Sequence, residues 1–475
     1  MRAGIKRNTA LTVTGLSLIP LDALASQNSV ASLAFSPLGI LVLSIFLLSY
    51  ALVIVEERIH LRKCIPVMLA GGLIWFLIAV FRQGDPGVAD AVRHYILEYA
   101  ELLLFLLAAM TYVNAMTERG IFEAIRIWLV GRGFNYRTLF WITGTIAFFL
   151  SPVLDNLTTA LVLCAVLLAV GKDNPKFIAV GCINIVVAAN AGGAFSPFGD
   201  ITTLMVWQRG LVDFTGFFAL FVPSVVNFVV PACLMQFAVG TEAPPPHEGA
   251  SPLRRGAGVV LALFGLTIVT AVGFHNFLHL PPFLGMMTGL GYLKLYGYYL
   301  KKTHIPKPTD EPDYVDIGEI ESFDSFEFIA RAEWDTLLFF FGVILCVGGL
   351  GYVGFLEVAS QQFYGEWGAS TANILIGILS AFVDNIPVMV AVIQMHPAMD
   401  TGQWLLVTLT AGVGGSLLSI GSAAGVALMG QAAGNYTFFS HLRWSWAVAL
   451  GYALSILCHF WLNQDLFTGL PVVLK

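Results

Sequence analysis

Charge is scarce in this chain. Asp, Glu, Lys and Arg make up 11% of its 475 residues, against about 25% in a soluble domain. Hydrophobic residues reach 57% and mean hydropathy is +0.80, more apolar surface than a water-soluble core absorbs. Cysteine is sparse too. Cys64, Cys164, Cys182, Cys233, Cys346 and Cys458 stand singly, and no CxxC occurs, so they read as small buried hydrophobes. No His/Cys cluster calls for a transition metal, and no basic stripe calls for nucleic acid. A Walker A sequence is also missing: Gly171-Lys172 lacks the upstream Gly and the following Ser or Thr. That leaves ion gradients as the energy source, and no cofactor is expected.

What the chain does have is long apolar runs, near 33–55, 64–82, 96–117, 138–170, 177–207, 214–239, 257–275, 281–300, 335–355, 370–395, 402–430 and 444–463. A spanning helix needs about 20 apolar residues, and a barrel would alternate polar and apolar positions instead. Several runs are too long or too rich in Gly and Pro to be simple spans. The expectation is an all-α polytopic membrane protein with about 10–13 transmembrane helices.

The N-terminus reads as a signal segment. Arg2, Lys6 and Arg7 precede a short apolar stretch, and Ala23-Leu24-Ala25 resembles a cleavage site. An uncleaved extra helix is the alternative. With the mature N-terminus outside, the first helix delivers Arg58, Arg62 and Lys63 to the cytoplasm, as the positive-inside rule wants. A helix ending before Arg119, Arg126, Arg132 and Arg137 then also ends inside.

The sequence repeats itself. Glu101 to Phe105 aligns with Asp335 to Phe339, and without a gap Gly120 and Glu123 fall on Gly354 and Glu357. Ser151 to Leu157, containing Asp155-Asn156, resembles Ser380 to Ile386, containing Asp384-Asn385. Gly192-Gly193 and Gly199-Asp200 align with Gly414-Gly415 and Gly421-Ser422. Blocks recurring in one order signal an internal repeat. The loop after the first helix of the first copy is rich in Arg, whereas its counterpart, 354–372, has no Lys or Arg. That asymmetry predicts two inverted-topology repeats, with the transport site near the bilayer midplane.

The predicted divisions are a signal peptide (1–25), N-terminal transmembrane helices (33–95), a first repeat (96–240), connecting helices (241–300), a cytoplasmic linker (301–334) and a second repeat (335–475).

An ionised carboxylate in hydrocarbon costs roughly 2.5–3.5 kcal/mol on insertion scales, so one inside a span points to function. Asp155, Asp200 and Asp384 are the clearest cases. Each sits beside helix breakers: Pro152, Pro197 with Gly199, and Pro387. Broken or re-entrant helices at these motifs would expose carbonyls and half-helix ends to a cation. Thr158 and Thr159 share a helical face with Asp155, and Thr202 and Thr203 flank Asp200. Asn156, Asn190 and Asn385 supply amide oxygens, and Ser419 and Ser422 supply hydroxyls. An all-oxygen set suits a hard cation, held at Asp155, Asp200 and Asp384. The bland alternatives are an N-cap role for each Asp-Asn pair and helix packing for the Gly-Gly blocks. Glu101 and Asp335 begin their apolar runs and read as interfacial, with a proton-path or structural role. Glu333, His275, His279 and His459 read as interfacial as well.

These motifs resemble the NhaD family of sodium/proton antiporters, within the ion transporter superfamily. The resemblance covers most of the chain after about residue 35 and is most specific at 151–159, 190–203, 380–385 and 412–422. It implies exchange of Na+ or Li+ for H+, pH homeostasis and a multi-pass bacterial inner-membrane location. It also implies functional roles for Asp155, Asn156, Asn190, Asp200, Thr202, Thr203, Glu101, Asp335, Ser380, Asp384, Asn385, Ser419 and Ser422. The expected partners are Na+ or Li+, H+ and the lipid bilayer, with a homodimer as the candidate assembly. The expected mechanism is competition of cation and proton for buried carboxylates, whose charged form desolvation penalises. An anion carrier on the same scaffold is the first rival. An intramembrane aspartyl protease is a distant second, since Gly199-Asp200 matches its signature only weakly.

Overall fold

The structure is a computed structural model describing residues 31–59, 61–171, 174–243, 253–303 and 325–472. The predicted signal peptide (1–25), a Pro-rich stretch at 244–252 and linker residues 304–324 lie outside the described residues.

Helix starts follow simple capping chemistry. Ser36, Asp85 and Asn174 each accept a first-turn backbone N–H and are each followed by Pro. The side chain satisfies an orphan donor, and Pro costs nothing where no intrahelical N–H bond is made. Among the described residues nine helices are long and apolar enough to cross a membrane, and Asn156–Val170, Ala369–Leu379 and Asn385–Gln394 are shorter apolar helices.

Burial sorts these helices into centre and periphery. Nearly all residues of Pro175–Gly193 are buried, whereas most of those in Pro37–Ile54 and Ala257–Leu278 are not. Phe76, Phe277 and Trp461 are exposed on the outer helices. An apolar surface of this extent fits lipid and does not fit water.

The Pro86–Glu118 helix runs across the sequence boundary predicted at 95/96. The apolar run alone marks only its second half. Its first half carries His94, Glu98 and Glu101, which face a cavity of about 190 Å³ shared with Arg209 and Gln394. His459, read from sequence as interfacial, is fully buried and donates from Nε2 to the Gly402 carbonyl at 3.0 Å.

The two copies of the repeat share local geometry. Ser151 Oγ donates to the Ala189 carbonyl at 2.7 Å, and Ser380 Oγ donates to that of Ala411 at 2.8 Å. A Cβ on Gly192 would meet the Phe148 carbonyl oxygen at 2.2 Å, and one on Gly414 would meet that of Gly377 at 2.1 Å. The Gly-Gly blocks therefore let backbones touch at matching positions.

The halves interlock. Ile201–Gln208 packs against Asn385–Gln394 and Thr401–Gly414, and Asn156–Val170 packs against Ala423–Gln431. Outside this core, Pro37–Ile54 and Cys64–Phe81 form a hairpin laid on Trp334–Tyr352.

Candidate ion-binding site

Both Asp-Asn pairs fall where helices break. Asp155 ends Tyr136–Leu154 and caps Asn156–Val170, with Pro152 one turn upstream. Its φ of 77° and ψ of 159° belong to a region open essentially to glycine. The second-half break runs from the end of Ala369–Leu379 to the start of Asn385–Gln394, with Asp384 at its N-cap. Asp200 and Ser422 start the short helices Ile201–Gln208 and Ala423–Gln431 with nearly the same backbone, φ/ψ of −148°/147° and −141°/149°.

Asp200 is the hub of the cluster and is only 4% exposed. Its Oδ2 accepts from Asn156 Nδ2 at 3.0 Å and from Asn385 Nδ2 at 2.9 Å. Its Oδ1 accepts the Thr202 backbone N–H at 3.0 Å. Asn156 Nδ2 also donates to Asn190 Oδ1 at 3.0 Å, and Asn190 Nδ2 donates to Ser416 Oγ at 2.8 Å. Amides from both halves thus converge on one carboxylate. Charge-assisted bonds of this kind are about twice as strong as neutral ones.

Asp155 accepts the Thr158 backbone N–H at 2.8 Å and the Thr158 hydroxyl at 2.9 Å. Asp384 stands differently: Lys63 Nζ is 3.5 Å from its Oδ2. Asp155, Asp200 and Asp384 all line one cavity of about 100 Å³ between the helix breaks.

The other sequence candidates divide. Thr203 Oγ1 donates to the carbonyls of Ser196 and Asp200 and braces the loop before its helix. The hydroxyls of Thr159 and Ser419 are buried without a hydrogen-bond partner among the described residues. Ser422 caps its helix through Gly425 N at 3.3 Å and lines a second cavity with Asp384. Ser380 sits in the fold-bracing bond to Ala411. Glu101 is half-buried in the separate cavity near Arg209. Asp335 is paired to Arg62 at 2.8 Å with its side chain 47% exposed.

Sequence reasoning missed Ser416, Lys63 and Glu333. Ser416 is the position after Gly414-Gly415, so the repeat alignment marked its neighbourhood. Glu333, read as interfacial, lines the same cavity as Asp155. Its place there follows from the chain's entry into Trp334–Tyr352, which no apolar pattern reports.

Two matching halves that meet around buried carboxylates, inside an apolar helical bundle, define an integral-membrane ion carrier. Residues 9–412 match the family model described as a citrate transporter. The chain is 54% identical over 473 residues to the Na+/H+ antiporter NhaD of Vibrio cholerae, covering 96% of this chain and 99% of that one. It is 57% identical over 414 residues to NhaD of Vibrio parahaemolyticus, covering 84% and 100%. Sodium/proton antiporter 1 of Arabidopsis thaliana is 32% identical over 425 residues, covering 87% and 70%. The chain belongs to this transporter family and, within it, to the NhaD antiporters.

Proposed function

We propose that the protein exchanges Na+ or Li+ for H+ across the bacterial inner membrane. The observation that carries this reading is the convergence of Asn156 and Asn385, one from each half, on Asp200 in a cavity shared with Asp155 and Asp384. Carboxylates bind a proton or a hard cation but not both at full strength, so loading one expels the other. The amides of Asn156 and Asn385 favour the charged, ion-accepting form of Asp200 against the burial that penalises it. Two inverted-topology repeats rocking about this point would expose it to each side in turn. The Arg-rich loop of the first copy, set against the basic-free loop at 354–372, supports that inversion.

The anion-carrier reading needs an unpaired cation at the motifs. Lys63 and Arg331 line the cavity, but each has a carboxylate beside it that offsets its charge, Asp384 for Lys63 and Glu327 for Arg331. An aspartyl dyad needs two carboxyls sharing a proton, and Asp200 Oδ2 is capped by amides instead.

The test uses everted membrane vesicles and a pH-sensitive dye. Added Na+ should dissipate the proton gradient in wild type. Asp155→Asn and Asp384→Asn should abolish that response at equal expression. An undiminished response in both overturns the site assignment.

A further inference from the structure

Asp155, Asp200 and Ser422 each accept a backbone N–H of the helix they start. Asp384 occupies the equivalent start of Asn385–Gln394 and makes no such bond. One of its oxygens, Oδ1, is buried without a hydrogen-bond partner among the described residues. The other faces Lys63 Nζ at 3.5 Å. That is longer than the roughly 2.7–2.9 Å of a charge-assisted hydrogen bond, so Lys63 is an electrostatic neighbour that is not locked in place.

Lys63 does not belong to either repeat. It stands at the turn of the N-terminal hairpin, where its backbone N–H donates to Glu56 Oε1 at 3.2 Å. From there its side chain reaches over the ring of the buried Phe339, with Nζ 4.7 Å from the centroid. Lys63 lines both the central cavity and the neighbouring one, of about 290 Å³, that Tyr50, Glu56 and Ser422 also line. A lysine head is a compact point charge on a flexible stem. It can leave Asp384 and return without disturbing a helix.

We propose that Lys63 is a tethered cation that takes the place of the transported ion at Asp384. Na+ displaces it on loading, and its return expels Na+ on release. On the return step the protons ride on Asp155 and Asp200, which line the same cavity, and Lys63 keeps Asp384 neutralised while the site changes sides. This rests on the exchange proposed above and gives the N-terminal hairpin a part in transport.

The experiment is a Na+ titration of exchange in proteoliposomes at fixed pH, with wild type, Lys63→Met and Lys63→Arg. Beside it runs a Na+ titration of the melting temperature of the same purified proteins. Removing the competitor should lower the half-saturating Na+ about tenfold in Lys63→Met, in both measurements, and reduce the maximal rate. Lys63→Arg should stay near wild type in affinity. A merely structural lysine would lower the rate without tightening Na+ binding. Half-saturating Na+ that is unchanged or raised in Lys63→Met overturns the proposal. If Lys63→Met does not reach the membrane, Lys63→Gln carries the same two outcomes. A wild type that shows no Na+-driven proton movement overturns the exchange reading itself. A wild type that exchanges beside an unmoved Lys63→Met overturns only the tethered cation.

Discussion

Asn385 donates its side-chain amide to Oδ2 of Asp200 at 2.9 Å, across the junction between the two halves. Asn156 donates to the same oxygen from within the first half. Each Asp-Asn pair therefore lends its Asn to a third carboxylate, and each Asp is left to a different task. The pairs match in sequence, but Asp155 closes on its own helix while Asp384 opens toward Lys63.

Removing one amide should make the proton a better competitor at Asp200. A hydrogen bond to a charged group is worth about 1.5–3 kcal/mol, and about 1.4 kcal/mol is tenfold in affinity. Asn385→Ala should therefore raise the half-saturating Na+ of exchange about tenfold or more at fixed pH, and more alkaline medium should recover part of the loss. Asn156→Ala should act in the same direction. A Na+ titration in vesicles at two pH values checks both.

Much of this site was legible in the sequence because membrane burial makes polarity conspicuous. Asp155, Asp200 and Asp384 stand out against apolar runs, and the repeat located Asn156, Asn385 and Ser422 in pairs. Lys63 and Glu333 were not legible. Both sit at helix entries, where charge is ordinary, and only tertiary packing carries them inward. Asp335 shows the converse. It aligns with Glu101, yet it pairs with Arg62 at a half-exposed position, since repeat position fixes the backbone and not the neighbours.

The paired glycines give a stability prediction. A methyl group on Gly192 or Gly414 would fall 2.2 or 2.1 Å from a backbone carbonyl oxygen. Backbone cannot yield as a side-chain tip can, so the helices must separate. Gly192→Ala and Gly414→Ala should each lower the melting temperature of the purified protein markedly. Gly72→Ala, with no atom of the described residues within 4 Å of the added methyl, should leave it near wild type. Thermal unfolding in detergent distinguishes them.

Asp85 gives the pH dependence of one end of the fold. The Gly87 N–H, at 2.9 Å, and the Tyr352 hydroxyl, at 3.0 Å, hold its carboxyl below the usual range. A lowered folded-state value stabilises above the unfolded value, about 3.9 for Asp, and that stability is lost as pH falls through the folded one. Asp85→Asn should be less stable than wild type at pH 7, and the difference should shrink as the medium is acidified below about pH 4. Melting curves of the two proteins across that range measure it.

The backbone of Asp155 separates its two roles. At φ 77° and ψ 159° a residue with a Cβ stores about 1–3 kcal/mol of strain. Glycine relieves that strain and removes the carboxylate together with its cap on Thr158. Alanine removes the carboxylate and keeps the strain. If Asp155 served only to break the helix, Asp155→Gly would be the mildest change and would still exchange. If it binds the ion, as proposed, glycine cannot replace it. Asp155→Gly should therefore melt above Asp155→Ala, with both failing to move protons in response to Na+. Measuring melting temperature and vesicle exchange on the same two variants tests the strain and the chemistry separately. Exchange retained in Asp155→Gly would make the residue a hinge and leave the cation to Asp200 and Asp384.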